Sequence, residues 1–203
     1  MIIFGTRTMN SNAGAGLFNC PRCGPQRQFT HRKANRWFTL YFIPVIPLGT
    51  AGEYIECSQC AGTYGMEVLQ YDPAAERAEI YATVRRLVVL AMLHAGKYEP
   101  ETVAALRSAL QDLTGEFVSD EQIHQDAQFA QQAGAQLEPV FHGQTADFSA
   151  DGKTLVLILT LKTLAPDGSV DAAVHQILHR AGAAMQMPTD VIEQMIATHA
   201  SPS

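Results

Sequence analysis

From residue 73 onward, apolar residues recur at the three- and four-residue spacing of amphipathic helices. Ile80, Val84, Leu87, Val88, Ala91 and Met92 share one face, predicting a helix over residues 73–95 that Gly96 ends. Pro100 opens a second helix with Val103, Leu106, Leu110 and Leu113 on one side, and Gly115 closes it. Ser119 and Gln122 form a capping box that starts a third. Gly134 and Pro139 interrupt the pattern, leaving residues 137–142 as a short turn or helix. A further helix is expected over 149–164. Its centre, residues 155–161, is apolar almost all round and would suit a strand by composition. Its polar flanks and helical surroundings favour a buried helix. Residues 169–182 and 189–200 complete a bundle of six or seven helices.

Before residue 70 the helical period is absent. Met1 to Phe4 reads as a short strand, and residues 10–16, rich in Asn, Gly and Ala, as a flexible turn. The glycines of that turn do not follow the spacing of a dinucleotide-binding loop, which excludes a phosphate site there. Residues 37–49 are aromatic and β-branched, the composition of an extended strand, with Pro44 and Pro47 confining it to an edge or ending it. Residues 53–56 and 63–69 read as strands flanking a turn. The apolar run 37–49 is shorter than the ~20 residues of a membrane-spanning helix and is broken by its prolines.

All four cysteines lie in this first third, as Cys20-Pro21-Arg22-Cys23 and Cys57-Ser58-Gln59-Cys60. Two thiolates separated by two residues can reach one ion if the backbone turns sharply between them. Pro21 pre-sets the turn and Gly24 tolerates a positive φ after it. Gly62 stands one position later in the second motif. Backbone N–H groups of such turns can face the sulfurs. Four thiolates suit one tetrahedral Zn2+ and leave no open coordination position, so the expected site is structural. Disulfides, a redox pair and an iron–sulfur centre are the alternatives. A thioredoxin-type motif would stand alone in a βαβ pattern, and neither condition holds. His31, between the motifs, is a basic surface residue on this reading, because the sulfur shell is already complete.

The spacer of 33 residues between the motifs is long enough to hold structure of its own. Its residues Phe38 to Gly49, with Tyr-Phe-Ile-Pro-Val-Ile-Pro-Leu at their centre, together with the two cysteine knuckles, Ile2 to Arg7 and Tyr54 to Cys57, resemble a bacterial zinc-ribbon family. The resemblance covers about residues 1–70 and implies a zinc-binding module with no known reaction.

Charge divides the chain. Residues 1–70 hold six Lys or Arg against three acids, and the rest eight against seventeen, which favours two domains. A charged fraction of 17% argues against a mainly disordered chain. Arg27, Arg32, Lys33 and Arg36 beside Trp37 and Phe38 form a basic-aromatic segment, residues 27–38, that could contact nucleic acid; the plainer reading is a solvated loop over an aromatic mini-core. A third reading sets the apolar insert 37–49 at a membrane surface, with Arg32, Lys33 and Arg36 near lipid phosphates. An apolar insert between cysteine pairs is similar to that of eukaryotic LITAF-type zinc domains.

In the second half, Ala165-Pro166-Asp167-Gly168-Ser169-Val170 before a helix resembles the TerB-like (tellurite-resistance) helical family over about residues 75–200. The resemblance implies an all-α bundle in bacterial stress or membrane-associated assemblies. Ala173 and Val174 fill the positions where it expects an acidic residue. Asp167 reads as a turn residue that could cap the following helix, with a divalent-cation site as the alternative. His175 and His179 stand one helical turn apart and could pair on a metal, but no third ligand is evident from spacing. No nucleophile–base set or paired-carboxylate constellation can be assembled.

The expectation is therefore an α+β protein: a β zinc ribbon over 1–70, a linker at 71–74 and an all-α, TerB-like bundle over 75–203. One structural Zn2+ is held by Cys20, Cys23, Cys57 and Cys60. The protein is read as a non-enzymatic interaction or adaptor protein with a protein partner and no evident small-molecule substrate; the alternatives are the nucleic-acid-binding ribbon and, ranked last, an enzyme with an unrecognised site in the helical half. The absence of a visible secretory signal and the paired C-x-x-C motifs place it in the cytoplasm, if at a membrane then peripherally at its inner face.

Overall fold

The computed structural model describes residues 4–115 and 117–199, which form an antiparallel four-stranded sheet followed by seven α-helices. The fold class is α+β. The chain divides into two compact units, Met1–Arg77 and Ala78–Ser203.

In the first unit, β1 (Phe4–Cys20), β2 (Gly24–Leu40) and β3 (Ile43–Cys57) form a meander in the order β1-β2-β3, and the two-residue β4 (Thr63–Tyr64) pairs with the end of β3. Strands of 15 to 17 residues are about 50 Å long. These residues therefore make a long three-stranded arm, not a compact ribbon. One end of it has a core of Phe18, Cys20, Ile55, Cys57 and Val68, with Phe29, Tyr64 and Tyr71 packed around them. Phe18 meets Phe29 edge-on, ring centroids 5.6 Å apart. Beyond this base, polar cross-strand bonds do the joining. Asn10 donates to the Tyr54 hydroxyl at 3.0 Å, Asn35 to the Ser11 hydroxyl at 3.1 Å, and Arg32 to Asn12 Oδ1 at 2.7 Å.

Four expectations are corrected here. Residues 10–16 are not a turn but the middle of β1, paired from Asn10↔Ala34 to Gly16↔Phe29. Most of β1 is exposed, so it lacks the alternation that marks a half-buried strand. Residues 27–36 belong to the central strand β2, and the aromatic mini-core is built from Phe18, Phe29, Tyr64 and Tyr71 at the knuckles, not from the residues after Arg36. Residues 37–49 are two strands joined at Tyr41-Phe42. Leu40 pairs with Ile43, and both turn residues have positive φ, 51° and 67°, as a two-residue type I′ hairpin requires. The prolines do lie on an edge strand, where bulges between Arg36/Trp37 and Phe38/Thr39 accommodate the lost ladder bonds. Finally, residues 63–69 are the two-residue β4 followed by a 3-10 helix, Met66–Gln70. Of the expected N-terminal strand, Phe4 opens β1 and Met1 to Ile3 lie outside the described residues.

In the second unit the helices follow the local signals closely. They are α1 (Pro73–His94), which begins in the first unit, α2 (Pro100–Thr114), α3 (Asp120–Gln132), α4 (Leu137–Gln144), α5 (Ala150–Leu164), α6 (Ala172–Ala184) and α7 (Thr189–His199). Gly115 closes α2 at φ 72°, and the Ser119–Gln122 capping box forms reciprocally. Central α5 buries Val156, Leu157, Leu159 and Leu161. Leu113 departs from the expected face of α2 and is 39% exposed. Asp167 does not cap α6. Its carboxylate accepts from Ser169 within the turn, and Asp171 caps the helix by accepting from the Val174 N–H at 2.8 Å.

Helices α6 and α7 approach closely because Gly182 carries no side chain. A Cβ there would lie 2.5 Å from Ile192 Cδ1 and 3.3 Å from Leu157 Cδ1. Gly182→Ala should therefore lower the stability of the helical unit by ~1–3 kcal/mol, measured by denaturant unfolding followed by helical circular dichroism, despite the better helix propensity of alanine.

Candidate metal centre

The two knuckles are the ends of strands. β1 stops at Cys20, turns through Pro21 and Arg22, and restarts at Gly24, whose φ of 90° suits only glycine comfortably. β3 stops at Cys57, and the Ala61 N–H closes the second turn on the Cys57 carbonyl at 2.9 Å. The left-handed residue of this knuckle is Ala61, at φ 54°, and not Gly62. Gly62 is needed for space: a Cβ would sit 2.8 Å from the Tyr64 hydroxyl and 3.2 Å from Cys60 Sγ.

The sheet brings the two knuckles together, and the four Sγ atoms lie within 4.8 Å of one another. Cys20 and Cys60 Sγ are 3.9 Å apart. Four sulfurs at ~2.3 Å around a tetrahedral zinc would be ~3.8 Å apart, so the donor set fits the ion in type, number and spacing. Cys20 and Cys57 are buried and Cys23 and Cys60 half-buried, with no disulfide among them. The expected ligands Cys20, Cys23, Cys57 and Cys60 thus form one zinc site. His31 lies outside it, with Nε2 3.0 Å from Glu53 Oε2.

Tyr64 is a member of the site that the spacing of cysteines could not reveal. Its hydroxyl is 3.5 Å from Cys20 Sγ and 3.9 Å from Cys60 Sγ. Burial pushes the Cys20 thiol up, but the Tyr64 hydroxyl and the backbone N–H groups of Arg22 and Cys23 outweigh it and lower its pKa to about 6. The Gly62 N–H is the main cause that lowers Cys60. Cys23, bonded to the Cys60 sulfur and then disfavoured by burial, is pushed up to about 12, and donation to Cys20 likewise raises Tyr64. Zinc binding would displace the protons that remain on these sulfurs.

The basic-aromatic segment is less available than its composition suggests. Arg32 Nε lies 2.7 Å from Glu56, Lys33 Nζ 2.9 Å from Glu53, and Arg27 donates to the Cys23 carbonyl. Arg7 and Arg36, both exposed, have no acidic partner among the described residues. Asp167 serves its own turn. His175 and His179 do come together, on α6 beside Glu193 of α7.

A model of a zinc-ribbon family matches residues 18–86, a span that takes in all four cysteines and the hairpin between them. This part of the chain is similar to that family. No curated protein and no solved structure matches the chain.

Purified protein should retain one tightly held zinc per chain by elemental analysis, and Cys20→Ser should release it and unfold the ribbon while the helical signal survives. Tyr64→Phe should keep the fold but weaken zinc ~10–100-fold in chelator competition, the usual cost of losing a group that supports a metal ligand.

Proposed function

We propose that the zinc centre is structural and that the first unit is a non-catalytic interaction module whose working surface is the β2–β3 hairpin tip. The observation that carries this reading is exposure. Phe42 is 75% exposed, Ile43 63%, Ile46 54% and Leu48 51%. Apolar side chains so exposed at the end of an arm, with no core beneath them among the described residues, are unusual on a surface that meets only water. The partner that fits best is an anionic lipid surface. The apolar residues occupy consecutive positions around the turn and so face both sides of the sheet, which suits immersion better than docking of one face into a groove. Arg36 stands four residues back from Leu40 and Arg7, opposite Trp37, three levels back, ~10–13 Å along the strands and on opposite faces. That is close to the depth separating buried side chains from lipid phosphates. No acidic residue occurs in the first 52 positions.

Among the described residues no helix is long and apolar enough to cross a membrane, so the contact would be peripheral. The cytoplasmic leaflet supplies both anionic lipid and the reducing conditions that keep thiolates free for zinc. The helical unit is read as a TerB-like partner-binding module in a bacterial stress or membrane-associated assembly. That reading rests on the sequence resemblance at Ala165 to Val170 alone. Nucleic-acid binding through residues 27–38 is the weaker reading, because Arg32 and Lys33 already face Glu56 and Glu53.

Sedimentation with vesicles tests the proposal. The zinc-loaded chain should bind phosphatidylglycerol-containing vesicles and bind phosphatidylcholine vesicles more weakly. Tyr41→Asn/Phe42→Gly places the favoured type I′ pair in the turn, so the hairpin should persist while vesicle affinity falls at least about tenfold. Failure of the wild-type chain to bind anionic vesicles, or equal binding by this variant, would contradict it.

A further inference from the structure

We infer that His175, His179 and Glu193 form a second, weaker binding site for a divalent transition-metal ion, in the helical unit. His175 and His179 are one turn apart on α6, and their rings stack with centroids 4.5 Å apart and a 35° tilt. Glu193 comes from α7, fourteen residues beyond His179, and supplies the third donor. Its Oε1 lies 2.8 Å from His179 Nε2 and 3.4 Å from His175 Nε2. Both imidazoles therefore aim the same ring nitrogen at one carboxylate oxygen. Ligands ~2.1 Å from a common ion, subtending tetrahedral to octahedral angles, are separated by ~3.0–3.4 Å, and the two donor–donor distances bracket that range.

Electrostatics agrees with the geometry. Among the described residues, Glu193 pairs with no lysine or arginine. Arg180, beside His179 in sequence, is turned away to Glu138 at 2.7 Å, and Lys97 is taken by Asp171 at 2.6 Å. The carboxylate charge is left to be balanced by the imidazoles or by a cation between them. Two nitrogen donors and one oxygen select Zn2+, Ni2+, Co2+ or Cu2+ over Mg2+ and Ca2+, which prefer oxygen shells. The side chains are 27% to 52% exposed, so an ion would enter from solvent and complete its coordination with water. Such an ion joins α6 to α7 at the surface, on helices whose close approach at Gly182 already sets their spacing.

The site is separable from the ribbon centre. The untagged full-length chain, with its ribbon already zinc-loaded, is titrated calorimetrically with Zn2+ and, in parallel, with Mg2+. One additional equivalent of Zn2+ should bind, with no comparable heat from Mg2+, and the melting temperature of the helical unit should rise. His175→Gln/His179→Gln should abolish the additional equivalent. Glu193→Gln, nearly isosteric, should weaken it at least ~10-fold. Both variants should keep the ribbon zinc and the wild-type circular dichroism. Absence of a second equivalent in the wild type, or its persistence at wild-type affinity in either variant, would overturn the assignment.

Discussion

Four sulfur–zinc contacts are the constraint on which the first unit depends. Among the described residues its core has five buried members, two of them the ligands Cys20 and Cys57. So small an apolar core cannot by itself offset the entropy of ordering three strands of 15 to 17 residues. Zinc ties together the end of β1, the start of β2, the end of β3 and the approach to β4. The β-meander can grow outward from there as a continuous hydrogen-bonded ladder. Tyr64 and the backbone N–H groups around the knuckles face the sulfurs and support them as ligands once the ion and the sheet come together.

The arm explains the long spacer between the cysteine pairs. A compact ribbon needs only a short connection there, but here the chain runs out along β2, turns at Tyr41-Phe42 and returns along β3. Its middle is held by amide, hydroxyl and ion-pair contacts that can stay solvated. Its end is apolar. That order, metal at the base, polar ladder between and apolar tip, is what a lever presenting a distant contact surface would need. The bulges at Pro44 and Pro47 also interrupt an edge strand that would otherwise invite pairing with other chains.

Helix boundaries were legible in the sequence because their signals are local. Gly96, Gly115 and the Ser119–Gln122 box each act within one turn of the helix end they mark. The zinc ligands were legible for a similar reason, as thiolates at fixed spacing. The arm was not. Gly14 and Gly16 sit in the exposed stretch of β1, which has no buried face before Phe18, so neither alternation nor turn composition reported its true state. Tyr41-Phe42 hid a hairpin turn, because aromatic residues at positive φ are rare where Asn-Gly is expected. Tyr64 and Glu193 were invisible for another reason: each joins its site through tertiary packing, and nothing in the spacing of the cysteines or histidines points to them.

Hydrogen–deuterium exchange of the full-length chain, before and after zinc is removed by a strong chelator, tests the dependence of the ribbon on its metal most directly. Amides of β1, β2 and β3 should lose protection together on removal, out to the hairpin tip, while those of α2, α5 and α6 keep theirs. Strands that stay protected without zinc would contradict the account.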